Sequence, residues 1–351
     1  MSTDPKEALA RKIRSLQRDA NDLQKEVRLA THRDRLEDLQ TTVSGLAQRV
    51  QELRDRGYPF EKELMPKAED LRDRWPALHD RVAQQVEAER RRLEIELRPV
   101  ERQVQRVAAL ASDPNAVQPL LEQAERAVEA VEQKAKAASD TIDGMYDQFE
   151  REVGDLQSRL QRLNWMLDQF AEATFRLLPG ESGIMAVSAK WDKGGKDDPV
   201  GLLYLTDQQL LFEQKQDIAT KKVLFITTEK KRVHKLLLQA PVGQVKEVRA
   251  SKRGLMGHED HIDVTFTADA AVPAAHFHLD GQDCELWQGL IHQAKAGDFD
   301  RDRAVALDQE LVERAREAPT RCPNCNAPIT EQVVRGMDHI RCEYCGHVIR
   351  L

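Results

Sequence analysis

The sequence predicts a multidomain chain of mixed α and β class, and three observations carry that expectation. Apolar residues recur at heptad spacing through residues 1–176, short alternating segments rich in β-branched residues fill 177–297, and two C-x-x-C pairs stand near the C-terminus. Residues 298–319 read as a charged linker helix. The expected organisation is therefore a helical coiled-coil domain 1–176, a sheet domain 177–297, the linker 298–319 and a cysteine module 320–351. Of the 351 residues, 32% are charged and only 5% aromatic, a balance suited to long solvated helices rather than to one compact core.

The helical half divides into three seams. Leu36, Leu39, Val43, Leu46, Val50 and Leu53 follow alternating steps of three and four, which places them on one side of a supercoiled helix. Arg-Gly-Tyr-Pro at 56–59 ends it. A second seam passes through Leu71, Val82, Val86, Leu93, Leu97, Val100, Val104 and Val107, with Pro76 and Pro99 expected to kink or interrupt it. Ser-Asp-Pro-Asn at 112–115 reads as a turn, after which Val117, Leu121, Ala124, Val128, Val131, Ala135, Ala138, Ile142, Met145 and Phe149 continue into Val153, Leu156, Leu160, Leu163, Leu167 and Phe170. Two successive steps of four around Phe149 read as a stutter. Turns between the seams favour antiparallel bundling within one chain, and the same seams would serve a homo-oligomer. The run Glu89-Arg90-Arg91-Arg92 reads as a solvated helix face.

At Leu178-Pro-Gly-Glu-Ser the pattern changes. Strands are expected at 183–190, 200–206, 209–214, 222–228, 233–239, 244–250, 261–267 and 274–279, followed by a helix capped from Asp280-Gly-Gln-Asp whose Leu286, Trp287, Leu290, Ile291 and Ala294 share a face. Many strands closed by one helix is a half-barrel plan. Leu178-Pro-Gly-Glu, Gly201-Leu-Leu-Tyr-Leu-Thr-Asp followed by Leu210 and Phe212, and Trp287 in the last helix together resemble the pleckstrin-homology-like superfamily, particularly its bacterial GRAM-like members. The resemblance implies a bent sheet plugged at one end by the helix, a core position for Trp287, and binding of membrane lipids or proteins rather than catalysis.

A charge of −7 argues against a dedicated polyanion binder, so any lipid contact needs a local patch. Lys190, Lys193 and Lys196 are interleaved with Asp192, Asp197 and Asp198. The stronger candidate is Lys221, Lys222, Lys230, Lys231, Arg232 and Lys235 with Lys252 and Arg253 before Leu255 and Met256, since cations beside exposed apolar residues suit a membrane interface. Solvated strand positions account for the same residues. His258, His261, His276 and His278 lack a recognised metal-ligand spacing and read as surface histidines.

Cys322-Pro-Asn-Cys325 and Cys342-Glu-Tyr-Cys345 have the spacing of two zinc knuckles, and the pattern resembles a zinc ribbon. Asn326 and Gly346 follow the pairs where a tight knuckle needs left-handed backbone, and Val333-Val334, Ile340 and Val348-Ile349 supply short strands. Four cysteines leave zinc no open position, which makes it structural. The remaining Cys284 reads as a small buried apolar residue. Arg335, Arg341 and Arg350 are offset by Glu331, Asp338 and Glu343, which weakens a nucleic-acid reading of the ribbon.

No apolar run is long enough to span a bilayer, and MSTDPKEALARK lacks a signal-peptide core, so a cytoplasmic location is expected. No phosphate-binding glycine loop, nucleophile elbow or H-E-x-x-H stands in the sequence. The expected function is a non-enzymatic scaffold or adaptor with one structural zinc. Protein partners are expected, with peripheral contact to the inner face of a membrane as an option. A zinc-ribbon nucleic-acid protein and a soluble docking adaptor are the alternatives.

Overall fold

A computed structural model describes residues 5–110, 114–195, 198–223, 226–254, 258–335 and 337–351, with only the backbone of 217–223 and 226–232. The chain is of mixed α and β class and divides into two compact units, Met1–Arg49 with Met65–Ser158, and Val50–Leu64 with Arg159–Leu351.

Four long helices run through the first half: α1 (Pro5–Glu26), α2 (Ala30–Asp55), α3 (Leu64–Ala109) and α4 (Pro114–Glu172). α2 stops where Gly57 takes a φ of 86°, the left-handed backbone that glycine adopts without a Cβ clash. α3 continues through both Pro76 and Pro99, against the expected interruption, because the neighbouring turns keep their own hydrogen bonds when each ring removes a single donor. The seam residues of α2 and α3 are buried, from Leu36 to Leu53 and from Leu71 to Val107. In α4 the seam passes through Tyr146 and Met166, both 1% exposed, instead of Met145 and Leu167. The two successive steps of four therefore run Ala138 to Ile142 to Tyr146, about two turns before the expected stutter at Phe149. The turn at 112–115 lies partly outside the described residues.

A polar layer explains the preference for Tyr146 in the first unit. His32 is 3% exposed, with Nδ1 3.1 Å from the Tyr146 hydroxyl and Nε2 2.8 Å from Ser139 Oγ. Tyr146 donates to Asp143 at 2.8 Å, so its oxygen accepts from His32 Nδ1, and Nε2 accepts from Ser139. Arg35 binds Asp143 at 3.2 Å and Glu150 at 2.8 Å. Burial lowers the His32 pKa, against the pull of Asp143, and burial raises that of Tyr146. A depressed histidine contributes stability above its unfolded value of about 6.5 and loses it as pH falls toward the folded value. Urea midpoints should drop between pH 7.5 and pH 5 by more in the native chain than in His32→Gln. Equal drops in the two proteins would exclude His32 as the titrating group.

The second unit holds a seven-stranded antiparallel sheet. Its strands are β1 (Gly183–Asp192), β2 (Val200–Thr206), β3 (Gln209–Val223), β4 (Ile226–Pro241), β5 (Val245–Arg253), β6 (Glu259–Phe266) and β7 (Ala274–Leu279), in the order β4-β3-β2-β1-β7-β6-β5. The three strands expected at 209–214, 222–228 and 233–239 are two, because β3 and β4 pair continuously from Gln209↔Pro241 to Val223↔Ile226. β2 reaches along β3 only from Leu205↔Leu210 to Gly201↔Gln214, so the hairpin continues beyond its neighbour. Gly201 is required there, since a Cβ would lie 1.9 Å from the Glu213 carbonyl oxygen. Trp191, Phe212 and Phe277 form the aromatic centre of the core, with ring centroids 5.3–5.7 Å apart.

Helix α5 (Cys284–Ala296) packs on β5 and β6. Asp283 caps it by accepting from Glu285 N and Leu286 N, and Gly297 ends it at φ 72°. Its buried face is Cys284, Trp287, Ile291 and Ala294, which keeps three of the five expected residues, whereas Leu290 is half-buried and Leu286 is 49% exposed at the edge of the stripe. The segment after it is a 3-10 turn (Asp298–Asp302) and a short helix α6 (Gln309–Arg316), where a single helix over 300–318 was expected. At the other end of the sheet, Phe170 and Phe175 pack on Tyr204 at 5.0 Å each, which joins the last turns of α4 to β2. No helix among the described residues is long and apolar enough to cross a membrane.

Candidate metal centre

Two knuckles fold the cysteine module. Asn326 N donates to Cys322 O and Gly346 N to Cys342 O, each at 2.8 Å, while Cys322 N and Cys342 N donate to Ala327 O and His347 O. These closures need left-handed backbone, found at Asn326 (φ 56°) and Gly346 (φ 73°). Strands β8 (His339–Arg341) and β9 (Val348–Arg350) pair behind the second knuckle, burying Ile340 and Ile349. Val333-Val334 is not a strand. Arg335 N instead donates to Leu177 O at 2.7 Å, and the Arg335 guanidinium donates to Glu181 O, so this loop is committed to the segment leading into β1.

The fold brings together all four predicted ligands. Cys322 Sγ lies 3.6 Å from Cys345 Sγ, Cys325 Sγ lies 3.6 Å from Cys342 Sγ, and the four sulfurs lie within 4.8 Å of one another. A tetrahedral zinc with bonds of about 2.3 Å sets sulfur–sulfur edges of about 3.8 Å, so the cluster fits that ion with small adjustment. Cys322 and Cys342 are buried, and Cys325 and Cys345 face outward. The His347 N–H and then the Asn324 amide lower the Cys345 thiol to about 6, while at Cys325 the Ala327 N–H opposes the neighbouring thiols, which raise it to about 12. The lowered Cys345 thiol favours the thiolate form that a metal cation requires. Cys284 is fully buried beneath α5, apart from this cluster.

Beside the segment held by Arg335 lies a polar network that sequence reasoning missed. Glu181 is fully buried, and its carboxylate accepts from Leu178 N at 2.6 Å, from Gln209 Nε2 at 2.9 Å and from the Thr206 hydroxyl. Asp207 accepts from Ser182 N at 2.8 Å and pairs with Arg303; the two side chains are 10% and 9% exposed. Burial raises Asp207 to about 6. Arg303 also meets Asp300 at 3.0 Å and lies over the Phe60 ring at 4.8 Å. Glu213, fully buried, accepts from Thr174 N at 2.7 Å and faces His234 Nε2 at 2.8 Å. A sequence signal existed, since Thr206, Gln209 and Glu213 are polar residues inside apolar strands. Asp207 and Arg303 also line a cleft of about 560 Å³ with Leu178, Leu307, Val312 and Ile329.

The basic residues separate. Lys190 pairs with Asp198 at 3.1 Å, and Lys193 sits over the Trp191 ring at 3.8 Å. Lys252 pairs with Asp283 at 3.1 Å and Arg253 with Asp263 at 3.0 Å. Lys235 is exposed on β4. Lys196, Asp197, Leu255 and Met256 lie outside the described residues, as do the side chains of Lys221, Lys222, Lys230, Lys231 and Arg232.

No protein-family model matches the chain, and no curated protein matches it. Among solved structures, the chain is similar to the Vps36 N-terminal PH domain at 14% identity, covering 37% of this chain and 97% of that one with a TM-score of 0.24. It is similar to the DH/PH domains of p115-RhoGEF (R399E mutant) at 13% identity, covering 78% and 98% with a TM-score of 0.22. The DH/PH domain of human ARHGEF11, solved in a ternary complex with human RhoA and its inhibitor, gives 13% identity, 79% and 94% coverage and a TM-score of 0.25. Likenesses of this size fix neither fold nor function.

Proposed function

We propose that the chain is a non-enzymatic cytoplasmic scaffold whose antiparallel coiled-coil helices carry a pleckstrin-homology-like half-barrel and a zinc ribbon for docking protein partners. The observation that carries this reading is the closed set of four thiols. Four sulfurs fill a tetrahedron, so Cys322, Cys325, Cys342 and Cys345 would hold zinc with no position for water or substrate. The ion would supply folding energy to a module whose buried cluster is little more than Cys322, Cys342 and Ile349. The antiparallel strand order and the buried Trp287 of the last helix support the half-barrel reading. Self-association through the helical seams belongs to the same proposal.

Docking to protein is favoured over lipid or nucleic acid because five of the described cations of β1, β5 and the ribbon are engaged within the fold: Lys190, Lys193, Lys252, Arg253 and Arg335. Exposed pairs contribute little stability but reduce the field available to a polyanion. Zinc-loaded protein should stay in the supernatant with anionic liposomes at physiological salt. Salt-sensitive sedimentation lost on reversing Lys230, Lys231, Lys252 and Arg253 would replace the protein-docking reading with a membrane one.

A further inference from the structure

A cluster of histidines and carboxylates lies on the outer face of the sheet, separate from the four-cysteine cluster. Ile262, Val264, Phe277 and Leu279 are buried in the core, so the intervening His261, Asp263, His276 and His278 share the opposite face of β6 and β7. The register sets His261 against His278 and Asp263 against His276. Across the diagonal, His261 Nδ1 and His276 Nε2 point at each other at 3.0 Å. The His278 ring stacks on His261 at 4.6 Å and 15°, which holds the His261 plane.

The protons on these rings conflict. His276 Nδ1 bonds to the Asp263 carboxylate and must carry hydrogen, leaving Nε2 a lone pair. His261 Nε2 is buried, makes no hydrogen bond, and lies 3.5 Å from the Glu259 carboxylate. If His261 carries its proton on Nε2, two lone pairs face each other at 3.0 Å. If it carries the proton on Nδ1, the rings share an N–H···N hydrogen bond and a lone pair stands 3.5 Å from Glu259, a contact that either a second proton on His261 or a cation between the rings would relieve. A cation between the rings removes both conflicts: it accepts two lone pairs, and Nε2–H turns to Glu259. Histidines that bind metal donate their other N–H to a carboxylate, an arrangement already present behind His276, while behind His261 the Glu259 carboxylate stands 3.5 Å away.

We propose that His261 Nδ1 and His276 Nε2 hold a divalent transition-metal cation of the zinc class, with Asp263 and Glu259 as positioning residues. Zinc–nitrogen bonds of about 2.0–2.1 Å set a nitrogen–nitrogen edge of about 3.4 Å, a few tenths of an ångström wider than the present separation. The side chains of His261 and His276 are 11% and 17% exposed, so the pair is shielded yet reachable. Arg253 binds Asp263 through its other oxygen, leaving the His276 contact in place. Two ligands from a strand face hold zinc more weakly than four thiolates, and the remaining positions fall to water.

The test is calorimetric titration of full-length protein, its cysteine site already zinc-loaded, with further Zn2+ at pH 7.5. The native chain should take up a second, weaker equivalent. His276→Gln should lose it, and Asp263→Asn should weaken it about 10- to 100-fold, as loss of a carboxylate behind a ligand does. His258→Ala should keep it. A native chain with no second equivalent overturns the proposal, including the case in which the pair takes up only a proton. So does a second equivalent undiminished in His276→Gln, with thermal midpoints confirming that both proteins are folded.

Discussion

Cys342→Ser should release the zinc and unfold residues 320–351 alone. Cys342 is 4% exposed and belongs both to the thiol cluster and to the small buried cluster behind it, so one substitution removes a ligand and a packing element together. Structural zinc contributes about 10–16 kcal/mol of apparent binding energy in isolated modules, far more than Ile340 and Ile349 supply by burial. The tightly bound zinc held by the four thiols should be lost, read as metal retained after dialysis against a weak chelator. Amide protection should vanish across β8 and β9 while β1 to β7 keep theirs. Because Arg335 holds Leu177 O and Glu181 O, exchange should also quicken at 177–182. A variant that keeps the tight, chelator-resistant equivalent would remove Cys342 from the ligand set.

Arg303→Ala should destabilise the second unit by about 3 kcal/mol, the usual cost of leaving a buried carboxylate without its partner. The loss should depend on pH. Asp207 already titrates near 6 in the fold through burial, above an unfolded value of about 3.9, so the folded state binds the proton more tightly. Removing the guanidinium raises the folded value further. The unfolded state is common to both proteins, so the deficit is smallest where Asp207 is protonated in both folds, grows as pH rises through about 6, and is complete only above the variant's raised value. Denaturation at pH 5 and pH 8 should show the larger loss at pH 8, and adding Asp207→Asn should restore part of it. A loss equal at both pH values would point to the Phe60 contact instead of the carboxylate.

The zinc ligands were legible because two residues between cysteines is a local constraint that needs no knowledge of the remainder of the chain. Most of the helical seam was legible for the same reason, since its period is short. The choice of Tyr146 over Met145 was not, because it depends on His32 and Asp143, and only the fold brings His32 beside Tyr146. The merging of three expected strands into β3 and β4 was hidden by polar residues that a long hairpin tolerates and a buried strand does not. Glu181, Asp207 and Glu213 were not legible as buried acids, because their partners Gln209, Arg303 and Thr174 come from other segments. Burial of a charge depends on such distant partners, which local pattern does not encode. The histidine pair shows the same limit, because strand register decides which ring nitrogens meet.

The second unit also has a temporal order written into its chain path. Lys62 binds the carbonyl of Arg301, 239 positions later, and Ala304 N donates to Pro59 O. During synthesis the stretch Val50–Leu64 leaves the ribosome long before its partners exist, whereas the helices of the first unit need nothing beyond Ser158. Closing so long a loop carries an entropy cost that only the completed contacts offset. Tyr58 and Phe60, which are buried in the finished fold, therefore wait as exposed aromatics until Arg303 has been made.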